Sequence, residues 1–287
     1  MDPVLSLSIH GLTQDAAYRK LDEEIASLQS RLCSLRTLRN ALSPICKIPT
    51  ELLSKIFTHT QEPDRSSLYD GVDLATRFVI TWVCRHWRDI ALTSANLWTV
   101  ISSQKMNPPL FLDVFEELLT RSRNMGLSIC LSRPTIPALK VCMSHMSRIQ
   151  HLRLEDSLVA SEADELLNQP ALLLTSLELH NMALRSAFKF SEVFPNLEHL
   201  VIESTPFITP SPLITPVLTT LRIVNPILSV GVDYILGLLP SFQRLTELVL
   251  SQCFGAQNVI HQQFCRDYVH VYSHSSPIGR SQLCRPI

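Results

Sequence analysis

The amino-acid sequence predicts a protein of the α+β class, with helices in its amino-terminal part and short parallel strands in the remainder. Three features lead to this prediction. Residues 16–42 contain neither proline nor glycine and place apolar side chains at helical spacing. A second group of apolar residues, between positions 45 and 98, also follows helical spacing. From residue 149 onward, a pattern of leucine and isoleucine returns about every 24 residues, which indicates a repeated unit.

The composition is that of a folded protein whose partners are not nucleic acids. Of the 287 residues, 46% are hydrophobic and 18% are charged, so most of the chain can pack around a core. The formal net charge is -1, and no run of Lys or Arg supplies the local positive excess that phosphate binding requires. The sequence therefore argues against a nucleic-acid partner.

The cysteines and the apolar runs indicate the cellular compartment in which the protein is expected. The 8 cysteines are scattered and none forms a C-x-x-C pair, a pattern typical of reduced, buried thiols rather than of a disulfide framework. No apolar run reaches the ~20 residues that span a bilayer, so no membrane partner is expected. The amino terminus lacks the basic region and long apolar core of a signal peptide. We therefore expect a protein of the cytoplasm, the nucleus or both.

Residues 16–42 are expected to form one amphipathic helix after a disordered tail, residues 1–15. Its apolar side chains alternate steps of four and three residues and so form a heptad seam: Leu21, Ile25, Leu28, Leu32 and Leu35. Arg39 interrupts this seam and Leu42 resumes it. One interpretation is a short coiled coil that pairs two chains into a homodimer. The other is a helix that folds back onto its own protein.

The segment after this helix has a distinctive order of residues. Pro49 suits the first turn of a helix, where the missing N–H of proline is no loss. Ile48, Leu52 and Ile56 then form one apolar stripe. After a variable stretch from His59 to Asp73, helical spacing returns at the following positions: Phe78, Val79, Trp82, Val83, Trp87, Ile90 and Ala91, and then Leu97-Trp98.

The order Ile-Pro-x-Glu-Leu-Leu-x-x-Ile-Phe at residues 48–57, followed by Val-Cys-Arg-His-Trp-Arg-Asp-Ile-Ala at residues 83–91, resembles an F-box. A leucine-bearing helix directly before the box is similar to the expanded F-box families of mushroom-forming fungi. The resemblance implies a three-helix module that binds the Skp-type adaptor of cullin–RING ubiquitin ligases. The residues that match adaptor-facing positions are Ile48, Pro49, Leu52, Leu53, Ile56, Val83, Cys84 and Trp87.

Two considerations qualify this module. The connection between its two halves is longer than in the family pattern. The sequence therefore does not define the middle helix of the module or the contacts that this helix would make. About sixty residues cannot bury all of these apolar side chains internally, so an exposed apolar surface, and hence a partner, is expected. For a single residue such as Trp82, a core position and a surface position are equally compatible with the sequence.

The second half of the chain repeats the template L-x-x-L-x-L at intervals of about 21–27 residues, the range of leucine-rich repeats. The five copies are Ile149/Leu152/Leu154, Leu174/Leu177/Leu179, Leu197/Leu200/Ile202, Leu218/Leu221/Ile223 and Leu245/Leu248/Leu250, and Ile129/Leu131 is a degenerate earlier copy. Each L-x-L places two side chains inward on a short strand. We expect Leu154, Leu179, Ile202, Ile223 and Leu250 to stack in one buried row. An alternating β-sandwich is the competing interpretation, but it does not explain the period.

The position where many leucine-rich repeats keep Asn or Cys is held here by Ser157, Met182, Thr205, Pro226 and Cys253. An asparagine ladder is therefore not expected, and the solenoid should be irregular. The outward strand positions should share a concave face that binds a protein substrate: Arg153, Glu155, Glu178, His180, Val201, Glu203, Arg222 and Val224. A solvated sheet face without a partner is the other interpretation.

Catalytic signatures such as G-x-S-x-G, H-E-x-x-H and the phosphate-binding glycine motifs do not occur in the sequence. We therefore expect neither enzymatic activity nor a cofactor, and no metal site. The predicted organisation is a tail (1–15), a helix (16–42), an F-box (43–101), leucine-rich-like repeats (102–253) and an irregular carboxyl-terminal tail (254–287), such as a truncated or misread gene would also produce.

These segments together predict a substrate-recruiting adaptor of an SCF-type (Skp–cullin–F-box) ubiquitin ligase. The F-box would bind the Skp-type adaptor and, through it, the cullin and RING subunits, while the repeats hold an unknown protein substrate. The alternative is a leucine-rich-repeat interaction scaffold that does not engage a ubiquitin ligase.

Overall fold

The computed structural model describes residues 13–59, 74–104, 108–157, 160–183, 190–205, 217–225, 242–251, 261–265, 268–272 and 283–285. Helices and strands are both present, and the main sheet is parallel, which confirms the predicted mixture of α structure and parallel β structure. The chain divides into two compact units, with the main boundary between Ser94 and Ala95.

The first unit begins with helix α1, Gln14–Ala41, which has 28 residues and spans about 42 Å. It starts two residues before the predicted limit at residue 16, after Thr13 in extended backbone. None of its residues is buried. Residues 1–12 of the predicted disordered tail lie outside the described residues.

The rest of the first unit is helical. A 3-10 turn, Pro44–Lys47, is followed by α2 (Thr50–His59), α3 (Leu74–Val83) and α4 (Arg85–Thr93). The helical spacing that the sequence shows from Phe78 to Ala91 is divided at Cys84, whose backbone is extended. The Cys84 Sγ accepts a hydrogen bond from the Trp87 backbone N–H at 3.5 Å, and this contact caps α4.

A small core joins these helices. Leu53 and Phe57 of α2 are buried, as are Ile80 of α3 and Ile90 of α4. The Phe57 ring packs against the Trp87 ring with 4.9 Å between centroids. Polar contacts reinforce the packing. The Ser54 and Ser94 hydroxyls lie 2.9 Å apart, and the Arg88 Nε donates to the Thr81 carbonyl at 2.8 Å.

The second unit alternates strands and helices. Its elements are the 3-10 turn Ala95–Trp98, β1 (Val100–Ser102), α5 (Pro108–Arg121), β2 (Leu127–Ser132), α6 (Ile136–Met143), the 3-10 turn Met146–Arg148, β3 (Ile149–Glu155), α7 (Ala160–Leu167), β4 (Ser176–His180), α8 (Phe190–Val193), β5 (His199–Glu203), β6 (Thr220–Val224), β7 (Glu247–Ser251), β8 (His261–Cys265), β9 (Tyr268–Tyr272) and β10 (Leu283–Arg285).

Strands β1 to β7 form one 7-stranded parallel sheet whose spatial order follows the chain. The predicted buried row is confirmed, because the pairing aligns Leu154, Leu179, Ile202, Ile223 and Leu250 on successive strands and all five are buried. The β-sandwich interpretation is wrong, since sandwiches of that kind pair their strands antiparallel. Strand β2 contains the degenerate copy at Ile129/Leu131, and β1 adds a strand that the template did not predict.

The 3-10 turn before β1 belongs to this second unit. Leu97 and Trp98 are fully buried in it, and the Arg121 guanidinium of α5 lies over the Trp98 ring, 4.9 Å from its centroid. The boundary between the units therefore precedes residue 101, the limit that the sequence predicts for the F-box.

A left-handed residue follows each of five consecutive strands, β2 to β6. These residues are Arg133, Asp156, Asn181, Ser204 and Asn225, with φ values of 47°, 52°, 49°, 46° and 44°. Each donates its backbone N–H to the last residue of the next strand. For example, the Asn181 N–H donates to the Glu203 carbonyl at 2.8 Å. Four of the five are Asp, Asn or Ser, and Asn and Asp in particular tolerate this conformation; Arg133 adopts it with a long side chain.

Side-chain hydrogen bonds join two pairs of neighbouring turns. The Asn181 Nδ2 donates to the Asp156 Oδ1 at 2.8 Å, and the Asn225 Nδ2 donates to the Ser204 Oγ at 3.3 Å. The position at which the leucine-rich-repeat pattern places its Asn or Cys lies one residue later. At that later position, the buried Thr205 Oγ1 accepts from the Met182 N–H at 3.1 Å. Pro226 and Cys253 lie outside the described residues.

Asn181 provides a test of the repeated turn. Asn181→Val should lower the free energy of unfolding by about 1–3 kcal/mol, because a β-branched residue is strained at positive φ. Asn181→Gly should cost no more than about 1 kcal/mol, since glycine adopts this conformation freely and only the side-chain hydrogen bond is lost. Urea denaturation monitored by circular dichroism measures both. A valine variant as stable as the glycine variant would contradict the left-handed backbone conformation of Asn181.

The carboxyl-terminal segment corrects one prediction. Residues 254–287 were expected to be irregular because they abandon the leucine template. Instead, β8, β9 and β10 pair antiparallel in a 3-stranded sheet with the order β10-β9-β8. The sequence of β9, Tyr-Val-His-Val-Tyr, consists largely of aromatic and β-branched residues that favour strands.

Candidate functional site

The first candidate surface lies on the helical unit, where large apolar side chains remain in solvent. Leu52 and Ile56 of α2, one helical turn apart, are 51% and 46% exposed. On α3, Val79, Trp82 and Val83 are 51%, 70% and 54% exposed. We call these five residues the apolar set. Single exposed leucines are ordinary, but five large apolar side chains exposed on two short helices make this unit a candidate for an interaction surface.

The predicted adaptor-facing residues divide into three groups. Leu52, Ile56 and Val83 belong to the apolar set, and Pro49 is exposed. Ile48, Cys84 and Trp87 are half-buried.

The prediction that Leu53 faces the adaptor is corrected by the structure, because Leu53 is only 1% exposed and packs in the core of the unit. It therefore supports the fold of the module and presents no side chain to a partner.

Trp87 has a structural role as well. Its ring rests on Phe57, and its indole Nε1 is buried without a hydrogen-bond partner among the residues that the structure describes. Trp82, whose position the sequence left open, is instead the most exposed member of the apolar set. The signal that could have separated the two tryptophans is the break at Cys84, which rotates α4 relative to the helical phase of α3.

Two thiols meet beside this surface. Cys46 and Cys84 line one cleft, together with Thr37, Asn40, Ala41, Arg85 and His86. Burial raises the pKa of the Cys46 thiol, and the adjacent Cys84 thiol, which shares a hydrogen bond with it, raises that pKa further. Since the thiolate is the nucleophilic form, a raised pKa makes Cys46 a poor nucleophile.

The remaining described thiols differ in exposure. Burial raises the pKa of Cys130 to about 12, and Glu155 adds to the shift. Burial also raises the pKa of Cys142 to about 12. Both match the expectation of buried, inert thiols. Cys33 on α1 does not, because its side chain is exposed.

The second candidate surface is the side of the parallel sheet opposite the buried row, which we call the polar face. The pairing places the eight predicted residues in two rows across neighbouring strands. One row is Arg153, Glu178, Val201 and Arg222, and the other is Glu155, His180, Glu203 and Val224. Arg222 is exposed and the other seven are half-buried, so the predicted set shares one face.

A continuous set of polar contacts crosses this face. The Arg153 Nε lies 2.5 Å from the Glu155 Oε1, and the Arg153 Nη1 lies 3.3 Å from the Glu178 Oε2. The His180 imidazole bridges two carboxylates, with Nε2 at 3.3 Å from Glu178 and Nδ1 at 2.9 Å from Glu203. Gln104, beyond β1, donates to the Glu155 carboxylate at 3.1 Å. The sequence did not reveal Gln104.

The electrostatics of the polar face follow from these contacts. Burial opposes the charge on the Arg153 guanidinium, but Glu155 and Glu178 outweigh it and raise the pKa of Arg153. Burial lowers the pKa of His151, the neighbouring His199 lowers it further, and Glu178 partly opposes the shift. The face thus carries paired charges of both signs beside the half-buried Val201 and Val224. Such a mixture suits a folded protein or a peptide.

Another cleft is lined by Ser144, His145, Ser147 and Arg148 among others, and the side chains of Arg148 and Ser144 make structural contacts there. The Arg148 guanidinium donates to the Leu119 carbonyl at 3.0 Å and to the Ser122 hydroxyl at 2.9 Å. The Ser144 hydroxyl donates to the Val141 carbonyl at 2.7 Å. Burial and the Arg148 charge lower the pKa of His145. The Arg148 contacts tie the 3-10 turn Met146–Arg148 to the end of α5, and none of these contacts is a nucleophile–base pair.

Neither a metal cluster nor a membrane-spanning helix occurs in the described part of the chain. Within it, no group of three or more His, Cys, Asp or Glu side chains is placed to hold a metal ion. Within it, too, no helix combines the length and the apolar character needed to cross a membrane.

Comparisons of this chain with models of protein families, with curated proteins and with solved structures gave no match. Any functional conclusion therefore rests on the residues and contacts described above.

Proposed function

We propose that this protein is a non-enzymatic, substrate-recruiting adaptor of an SCF-type ubiquitin ligase in the cytoplasm, the nucleus or both. The helical unit binds a Skp-type adaptor and, through it, the cullin and RING subunits. The parallel sheet is part of an irregular leucine-rich-repeat solenoid, and its polar face binds a protein substrate. Catalysis belongs to the other subunits, and this chain raises the effective concentration of acceptor lysines near them.

The apolar set is the observation that carries the proposal. Its residues come from α2, which contains most of the first half of the F-box-like pattern, and from α3, which ends at Val83, the first residue of the second half. They stay in solvent although Leu53 and Phe57 of α2 are buried. A helix that used all its apolar residues for its own core would leave no such side chains exposed. The exposed side chains of Leu52, Ile56 and Val83 also match adaptor-facing positions of the family pattern.

The polar face supports the substrate-binding half of the proposal. Each strand presents its outward side chains in line with those of its neighbours, so one surface extends across β3 to β6. On a repeat protein such a surface is where partners bind. The half-buried valines can supply apolar contact area, while Arg153, His180 and the glutamates can set the orientation of the partner.

Substitution of the apolar set tests the adaptor-binding half. Leu52→Asp with Ile56→Asp should weaken binding of a purified Skp-type adaptor at least ~100-fold, because two charges would be buried in an apolar interface. Isothermal titration calorimetry measures the loss. Both side chains are about half exposed in the free protein, so the double variant should fold. Trp87 is unsuitable for this test because its ring is part of the core.

Leu92→Asp is the matched control. It introduces one such charge at another exposed leucine of the same unit, outside the predicted adaptor-facing residues. The control should bind the adaptor like the wild type. Unchanged binding by the double variant, with a folded helical unit, would remove the F-box assignment.

The alternative function is a leucine-rich-repeat scaffold that engages no ubiquitin ligase. The polar face favours it as much as it favours the adaptor, since both use the repeats to bind a protein. The two functions differ only at the apolar set. Failure of the wild-type protein to bind any Skp-type adaptor would favour the scaffold.

A further inference from the structure

Helix α1 exposes an apolar stripe from Tyr18 to Leu35, with the polar Gln14 and Arg39 in the seam near its two ends. In heptad notation, position a is held by Tyr18, Ile25, Leu32 and Arg39, and position d by Gln14, Leu21, Leu28, Leu35 and Leu42. Leu21 is half-buried, and the other leucines and the isoleucine of this seam are all exposed by nearly half or more. Together these positions span about four heptads, which is sufficient for a short coiled coil.

The charges beside the stripe are separated along the helix. In the first half, the flanking e and g positions hold Asp15, Asp22 and Glu24. In the second half, these positions hold Arg31 and Arg36. The basic residues of the first half, Arg19 and Lys20, occupy the outer b and c positions and do not flank the stripe. The helix therefore presents an acidic flank at its amino-terminal half and a basic flank at its carboxyl-terminal half.

A parallel pair of such helices would bring like charges together. In that arrangement position g of one helix lies beside position e of the next heptad on its partner. Arg31 would then face Arg36 of the second copy, and this would happen twice because the pair is symmetric. Arg39, at position a, would also meet Arg39 of the second copy within the seam. Like charges at these positions are destabilising.

An antiparallel pair would instead bring opposite charges together. The register with full overlap sets Ile25 against Leu28 of the second copy, and Leu21 against its Leu32. Glu24 then lies beside Arg31 of the second copy, and Asp15 beside its Arg36. By symmetry each of these attractive contacts occurs twice.

The ends of the helix also fit the antiparallel register. Arg39 meets Gln14 of the second copy, where its guanidinium can hydrogen-bond to a side-chain amide and stays near the end of the pair. Leu38, an exposed leucine at position g, lies opposite Ala17 of the second copy. A large side chain is thereby matched with a small one.

We propose that a second copy of this chain covers the apolar stripe of α1, and that the two helices pair antiparallel with Ile25 opposite Leu28. The charge pattern selects this occupant, because the acidic flank of the helix complements its own basic flank. The proposal does not depend on the proposed ligase function. An antiparallel pair would hold two helical units at opposite ends of a rod about 42 Å long.

Charge reversal at Arg31 distinguishes the two orientations. In the antiparallel pair, Arg31→Glu places two glutamates side by side and should raise the dimer Kd about three- to thirty-fold. In a parallel pair, the same change would replace an Arg31–Arg36 repulsion with an attraction and tighten the dimer. Analytical ultracentrifugation of the full-length protein measures the Kd, with a reducing agent present because Cys33 is exposed.

Two more variants complete the experiment. Glu24→Arg should weaken the antiparallel dimer like Arg31→Glu, and the double variant Glu24→Arg/Arg31→Glu should restore the wild-type Kd. Ser30→Glu is the control: it adds the same charge at the outer f position and should leave the Kd unchanged. Circular dichroism of each variant verifies that the helix is retained.

A wild-type protein that stays monomeric up to about 100 µM would overturn the proposal, because a four-heptad coiled coil should associate below that concentration. Tighter association of Arg31→Glu would also overturn it in favour of a parallel pair. A dimer that none of the charge changes affects would place the association outside α1. Rescue by the double variant is the result that supports the antiparallel pair.

Discussion

Trp98→Ala is expected to destabilise the second unit by about 3–5 kcal/mol. The Trp98 side chain has no solvent exposure, so its removal leaves a large cavity in addition to the lost transfer free energy. The Arg121 guanidinium, which lies over the indole ring, would also lose its cation–π contact. Thermal unfolding monitored by circular dichroism should show a clearly lower midpoint for the transition of this unit.

Trp82→Ala is the matched control for that experiment. It removes the same side chain from a site that is 70% exposed, and the stability should change by no more than about 1 kcal/mol. The two variants should also differ in binding. Trp82→Ala should weaken adaptor binding without unfolding, whereas Trp98→Ala should retain that binding at temperatures where it is folded. Equal melting temperatures for the two variants would contradict the burial of Trp98.

The parallel sheet could be predicted because its signal is local and repeated. Each copy of L-x-x-L-x-L places two side chains on the same side of a short strand, and the spacing between copies leaves room for one return segment. Strand β1 lacks the template. Its residues Val100 and Ile101 become part of the sheet by pairing with Ser128 and Ile129, a contact that no pattern within three residues can reveal.

The repeated turn was missed for a different reason. Asp156, Asn181, Ser204 and Asn225 share a backbone conformation but not a side chain, so a search for one recurrent residue type does not find them. Their common property is tolerance of positive φ, combined with a backbone N–H that reaches the next strand. A search for short polar residues immediately after each strand would have found four of the five.

The polar face could be predicted from the sequence more completely than the exposed surface of the helical unit. Alternation along a strand is sufficient to place Arg153, Glu178 and Arg222 on one face, since side chains of a strand point to opposite sides in turn. In the helical unit, adjacent residues such as Leu52 and Leu53 are chemically identical. Which of them is buried depends on where α4 packs against α2, a tertiary property that the sequence of α2 does not contain. The contact of Gln104 with Glu155 likewise joins residues 51 positions apart.

Leu179→Ala is the second change with a large expected effect, about 2–5 kcal/mol in the free energy of unfolding. Leu179 is 1% exposed and lies in the middle of the buried row, paired with Leu154 on one side and Ile202 on the other. Its truncation therefore leaves a cavity that neighbouring strands enclose. Each kcal/mol should shift the melting temperature of a unit of this size by about 2–4 °C.

Glu178→Ala, at the adjacent residue, is the matched control for this experiment. Glu178 points to the polar face, where its carboxylate contacts Arg153 and His180. Loss of these partly exposed contacts should cost no more than about 1 kcal/mol. In a helix, two consecutive residues lie only about 100° apart and would not separate so sharply into core and surface. Differential scanning calorimetry should therefore show a large decrease in melting temperature for Leu179→Ala and a small one for Glu178→Ala. Equal decreases would contradict the alternation that places the polar face opposite the core.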